Sequence, residues 1–191
     1  MNRHITSLVG AALLLSSAAH AAPVDPAMRA RVDGLLGSYR PVTVAEWRAL
    51  GPDAALVLEA VARDLQALPT RRARALAALG VVRPEAAAPL VRQLASDHGA
   101  LRLLRSAAVD MAPGVLGAGS VDFLTPFLRD PDAVVRQRSA EALAVSGLAG
   151  CRAVVAEATS HPGPSQFART VADCAAWLRA SICRLRRSSE R

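Results

Sequence analysis

Apolar residues along this chain recur at three- and four-residue intervals, and proline, glycine or aspartate interrupts them at short range. That rhythm predicts helices. Asp25-Pro26 opens a first helix running towards Leu36, with Asp as cap and Pro at the first helical position. Thr43 and Glu46 have capping-box spacing for a short helix through Trp47 to Leu50, stopped by Gly51. Residues 52–68 carry apolar side chains at 56, 58, 61, 62 and 65, and helices over 69–80, 83–97 and 98–112 follow, the first ending on Gly80. Residues 117–130 contain Pro126, which predicts a kink, and Ser120 reads as a helix cap. Helices over 130–147 and 148–160, a Pro/Gly breaker at 160–165 and a last helix from about Gln166 to Leu185 complete the pattern. No stretch alternates as a strand would, so the fold class expected is all-α.

The first 21 residues stand apart. Arg3 supplies a positive start, Ile5 to Ala19 an apolar stretch, and Ala19-His20-Ala21 a small-x-small site before Ala22. This is the layout of a cleaved signal peptide, too short and too rich in Ser and Thr for a spanning helix. The expectation is a periplasmic or secreted protein with no integral membrane segment after signal removal. Residues 22–51 then form an N-terminal cap, 161–187 a C-terminal capping helix and 188–191 a tail.

Composition changes the picture in two respects. Aromatic residues are 3% of the chain, so the core is built from Ala, Leu and Val and favours closely packed helices. The formal charge of +7 invites a nucleic-acid reading. That reading is set aside, because export removes the protein from nucleic acid. The 23 basic residues are also all Arg, as a GC-rich coding sequence would produce.

Within residues 52–160 the pattern repeats. Asp64, Asp97 and Asp130 each close a helix at a spacing of 33, the mark of stacked helix pairs. Asp130-Pro131, then Val135-Arg136, then Ala140, Ala142 and Leu143, resembles the HEAT-repeat family, in particular the short HEAT-like units of the phycobilisome-lyase type. Leu101-Arg102 follows Asp97 with Val109 where Leu143 stands, and Arg72 precedes Ala78-Leu79-Gly80 similarly. Only 130–147 carries the full spacing; 98–112 is one residue short and 69–80 lacks the acidic turn residue. The resemblance implies a right-handed α-solenoid of antiparallel helix pairs, with an irregular helical bundle as the alternative. It also implies an inter-repeat ladder of Arg72, Arg102, Arg136 and Asp130. By helical phase alone, Asp130 and Pro131 read as cap and first position of their helix. Val135, Ser139, Ala142, Leu143 and Ser146 share one face, and Arg138 and Glu141 another.

Export also makes a disulfide the expected state of cysteine. Cys151 and Cys174 lie equidistant from the centre of the Pro/Gly breaker and on the apolar stripes of the two flanking helices, so they are expected to pair. Cys183 falls on the opposite side of its helix and is expected to be unpaired, with Cys151–Cys183 as the other candidate bridge.

The residue pattern offers no catalytic group, no metal set and no cofactor loop. His98 and His161 read as solvated side chains, and the glycines near Ser120 have neither a preceding strand nor a following Lys. HEAT-like relatives include chromophore lyases and iron-dependent hydroxylases; resemblance to the latter would require His-Glu pairs, and the sequence has none. The function expected is therefore a non-catalytic scaffold for an unidentified protein partner. Arg74, Arg105 and Arg138 point outward from the second helix of each unit as candidate partner contacts. A lyase-like enzyme or enzyme accessory is one alternative. An anionic envelope-surface binder using Arg184, Arg186, Arg187 and Arg191 is the other. The pattern specifies neither the partner's identity nor an oligomeric state.

Overall fold

The computed structural model of the chain describes residues 25–161 and 167–189, with side chains through Ser181. The signal-like segment, the side chain of Cys183 and the arginines of the tail lie outside that description.

Every regular element among the described residues is helical. The helices are α1 (Pro26–Leu36), α2 (Val44–Arg48), α3 (Ala54–Arg63), α4 (Pro69–Val82), α5 (Pro84–Ser96) and α6 (Arg102–Leu116). They continue with α7 (Ser120–Leu124), α8 (Ala133–Val145), α9 (Leu148–Ser160) and α10 (Ala168–Ser189). Short 3-10 turns occupy Gly117–Gly119 and Thr125–Arg129.

Local chemistry sets several boundaries. The Asp25 carboxylate accepts from the Ala27 amide at 3.0 Å, and Thr43 and Glu46 form the reciprocal box that starts α2. Asp64, Asp97 and Asp130 share one device, each carboxylate accepting the amide two residues ahead, at Gln66, Gly99 and Asp132. These Asx turns stop the helix and redirect the chain. They also correct the expected boundaries. Residues 64–68 are a turn, so the helix over 52–68 ends at Arg63. Its buried stripe is Ala54, Val57, Leu58, Val61 and Ala62, whereas Leu56 and Leu65 face outward. Residues 97–101 are likewise a turn, and α6 begins at Arg102 and continues past Met111 through Pro113. Asp130 does not cap α8, and Pro131 is not its first residue. Asp132 takes the cap, accepting from Val134 at 2.8 Å. Ser120 does not cap either; it is buried, with its Oγ 3.4 Å from that of Ser146. Pro126 falls where the 117–130 segment passes from α7 into a 3-10 turn.

Packing follows chain order. Helices α2, α4, α6 and α8 touch in succession, and α8 meets α10; on the other side α1 touches α3 and α3 touches α5. Among the described residues, α3 has no contact with α8 or α9, so each helix pair packs only on its neighbours. One apolar cluster runs the length of the assembly, from Val32 through Leu58, Leu79, Leu104 and Leu143 to Cys174. Small residues set the helix spacing. A methyl on Gly80, which lies inside α4 and does not end it, would overlap the Met111 side chain of α6. A methyl on Gly150 of α9 would overlap the Leu143 carbonyl of α8. The Sγ atoms of Cys151 and Cys174 stand 2.01 Å apart and join α9 to α10.

Candidate binding edge

The turns within the helix pairs decide which arginines face the core. Five residues, 64–68 and 97–101, separate α3 from α4 and α5 from α6, but only Asp130, Pro131 and Asp132 precede α8. Counting from the helix starts, Arg72, Arg105 and Arg136 occupy the same position, the fourth residue of α4, α6 and α8. Each clasps carbonyls at the end of the preceding segment. Arg72 Nε donates to Ala62 O at 3.1 Å, Arg105 Nε and Nη2 both donate to Ala95 O at 3.2 Å, and Arg136 Nη1 donates to Asp130 O at 2.6 Å. Helix ends leave carbonyls without partners, and these guanidinium groups supply the donors.

Arg105 is thus corrected. Expected on the outward face, it is 4% exposed and ion-paired with Asp130, itself 5% exposed. Nη1 lies 3.2 Å from Oδ1 and Nη2 2.5 Å from Oδ2, and the Asp132 amide also donates to Oδ1 at 2.9 Å. Burial pushes the Asp130 carboxyl upward, but the Arg105 guanidinium and the Asp132 amide outweigh it and hold the group below the usual range. The residue of α6 equivalent to Arg74 and Arg138 is Ala107, so no outward arginine row runs through all three pairs. Arg74 is exposed and donates to Ser38 O at 2.8 Å. Arg138 is exposed, 3.4 Å from Glu141 and 3.9 Å from Asp110. Arg102 reaches the next pair, 2.6 Å from Asp132 Oδ2.

The same turns create a surface that residue patterns did not single out. Leu65 and Leu68 are 77% and 70% exposed, Leu101 is 53% exposed, and Tyr39 is fully exposed. Three grooves succeed one another along this edge. The first, about 530 Å³, lies between Tyr39, Arg40, Leu68, Arg71 and Arg74. The second, about 390 Å³, is walled by Leu65, Leu90, Leu94 and Leu101 and lined by Arg72 and Asp97. The third, about 510 Å³, includes His98, Arg102, Arg105, Pro131 and Val134. Each combines aliphatic walls with guanidinium groups. Leu65 and Leu68 lie beyond the end of α3 and not on a helix face. Two features of the sequence mark the break, Asp64 at the helix end and Pro69, which restricts the residue before it.

No group of three or more potential metal ligands occurs among the described residues, and no helix there is long and apolar enough to cross a membrane. His161 is more engaged than expected, with Nδ1 3.1 Å from Glu157 Oε1 and Arg129 beside the same carboxylate. The Arg129 guanidinium holds Glu157 below the usual carboxylate range despite partial burial. This trio joins the 3-10 turn to α9 and faces no cavity described above. Compared with known proteins, the chain matches no family model, no curated protein and no solved structure.

Proposed function

We propose that this chain is an exported, non-catalytic scaffold, a right-handed HEAT-like α-solenoid that binds an extended segment of a partner protein along its turn edge. The observation that carries this reading is the row of exposed leucines set among arginine-lined grooves on successive turns. Exposed leucines that border grooves on successive turns give a partner an apolar surface to cover. The solenoid reading is supported by pairs that pack only on their neighbours and by equivalent Asp and Arg positions at three successive turns. Arg74 and Arg138 remain candidate partner contacts, and Arg105 belongs to the scaffold. Export rests on the amino-terminal sequence and agrees with the Cys151–Cys174 bridge, since disulfides persist in oxidising compartments.

The test is retention of a specific envelope protein by immobilised parent, compared with Leu65→Ser/Leu101→Ser. Both leucines are largely exposed, so the double variant should melt within a few degrees of the parent. It should lose the retained protein. Equal retention by the variant would refute the edge as the binding surface.

A further inference from the structure

The structure contains its own template for what the middle groove recognises. In one layer Arg105 clasps Ala95 O and spends its two terminal nitrogens on the Asp130 carboxylate. One layer earlier, the equivalent Arg72 holds Ala62 O through its Nε alone. The residue equivalent to Asp130 is Asp97, since 97 and 130 differ by the same 33 as 72 and 105. Asp97 nevertheless makes no ion pair with Arg72; its carboxylate accepts from Gly99, and a groove of about 390 Å³ has both residues in its lining. The terminal nitrogens of Arg72 have no protein partner among the described residues. Leu65, Leu90, Leu94 and Leu101 wall the space around it.

We infer that Arg72 is a carboxylate receptor for an aspartate or glutamate of an extended partner segment, seated with an aliphatic neighbour between the α3–α4 and α5–α6 turns. Three observations commit the groove to this occupant. The fork of Arg72 matches the carboxylate that Arg105 holds next door. The groove is at the small end of the roughly 300–1,000 Å³ range of ligand sites, which suits one or two peptide residues. It also lies between two further arginine-lined grooves, so a chain passing through it has room on either side. The nearby charges set the sign. Arg63, held by Glu59 at 2.9 Å, adds attraction, and Asp97 opposes a second carboxylate. This inference rests on the turn-edge reading and narrows it to one side chain.

The experiment uses the disulfide-intact protein and a fluorescent peptide, Gly-Leu-Arg-Asp-Pro-Asp-Gly, which carries the chain's own 128–132 sequence, followed by anisotropy. A control peptide has Asn in place of the first Asp. The parent should bind the Asp peptide saturably and the Asn peptide about tenfold to a hundredfold more weakly, the range a charge-assisted hydrogen-bond pair commands. Arg72→Gln should lose the distinction, Arg72→Lys should retain only part of it because it lacks the fork, and Asp97→Asn should bind more tightly. Equal binding of both peptides, no saturable binding at millimolar peptide, or Arg72→Gln behaving as the parent overturns the inference. Should Arg72→Gln fail to fold, Asp97→Asn and Leu101→Ser decide it: both must change peptide affinity, upward and downward respectively. Loss of the envelope partner in Leu65→Ser/Leu101→Ser with retention in Arg72→Gln would preserve the edge and reject the receptor.

Discussion

Replacing Arg105 with Met isolates the energetics of the buried pair. The change keeps the apolar stem but removes every donor to the Asp130 carboxylate except the Asp132 amide, and it strips Ala95 O of its guanidinium. The orphaned carboxylate can escape its buried site by taking up a proton, and that escape caps the electrostatic loss. With an unfolded-state carboxyl pKa of about 3.9, protonation costs about 4 kcal/mol at pH 7 and about 1.5 kcal/mol at pH 5. The missing bonds to Ala95 O add about 1 kcal/mol at either pH. The total of about 5 kcal/mol at pH 7 agrees with the roughly 3–5 kcal/mol typical of breaking a buried ion pair. At about 2–4 °C per kcal/mol for a chain of this size, the melting temperature should fall by about 10–20 °C at pH 7 but only about 5–10 °C at pH 5. The sign follows from linkage. In the parent the Asp130 pKa is depressed, so its contribution is present above the unfolded pKa and is lost as pH falls through the folded value. In the variant the unpaired carboxyl shifts the other way, so the deficit grows as pH rises. Thermal melts followed by circular dichroism at the two pH values measure it. Adding Asp130→Leu should recover most of the loss, because an apolar pair of similar volume leaves no charge behind. A deficit that is the same at both pH values, or a melt within two degrees of the parent at pH 7, would mean that an unpaired Asp130 carboxylate is not what destabilises the variant.

Three further outcomes follow from other parts of the fold. Gly150→Ala places a methyl against the Leu143 backbone and should destabilise by about 2–3 kcal/mol, whereas Gly80→Ala meets side chains alone, the movable end of Met111 and a Val115 methyl at 3.0 Å, and, with about 1 kcal/mol of helix propensity gained, should stay closer to the parent; urea denaturation compares them. Cys151→Ser/Cys174→Ser opens a 23-residue separation and should cost about 3 kcal/mol on the chain-entropy account; the parent should yield a linked Cys151–Cys174 peptide by non-reducing mass spectrometry, and free alkylation of both would reject the bridge. The Glu46 carboxyl, hydrogen-bonded by Arg40 and by Thr43, is held down to about 2, so its NMR titration should lie well below an ordinary glutamate. The stabilisation linked to it is present above the unfolded pKa and is lost as pH falls towards 2; a midpoint near 4 would show that the Arg40 pair and the capping box do not persist in solution.

Features set by neighbours within a turn or two of helix were readable from the chain alone. The all-helical class, the Asp25 and Thr43 caps, and the buried stripe of Val135, Ser139, Ala142 and Leu143 depend on local hydrogen bonds and a fixed angular step. The partnership of Cys151 and Cys174 was also accessible, since a short breaker between two helices constrains which positions can meet. The arginines were different. Whether Arg105 faces water or Asp130 depends on where α6 starts, and an Asx turn at Asp97 moves that start to Arg102. A helix begun at His98 preserves the 33-residue spacing of the aspartates but does not fix how it meets its neighbouring helices. Arg72, Arg105 and Arg136 become equivalent only when the shorter turn before α8 is known, because two residues of loop rotate a helix by about half a turn. The grooves lay further still from the linear pattern. They are gaps between turns far apart in sequence, and an exposed leucine at 65 or 101 has the same letter as a buried one. Only packing decides which it is.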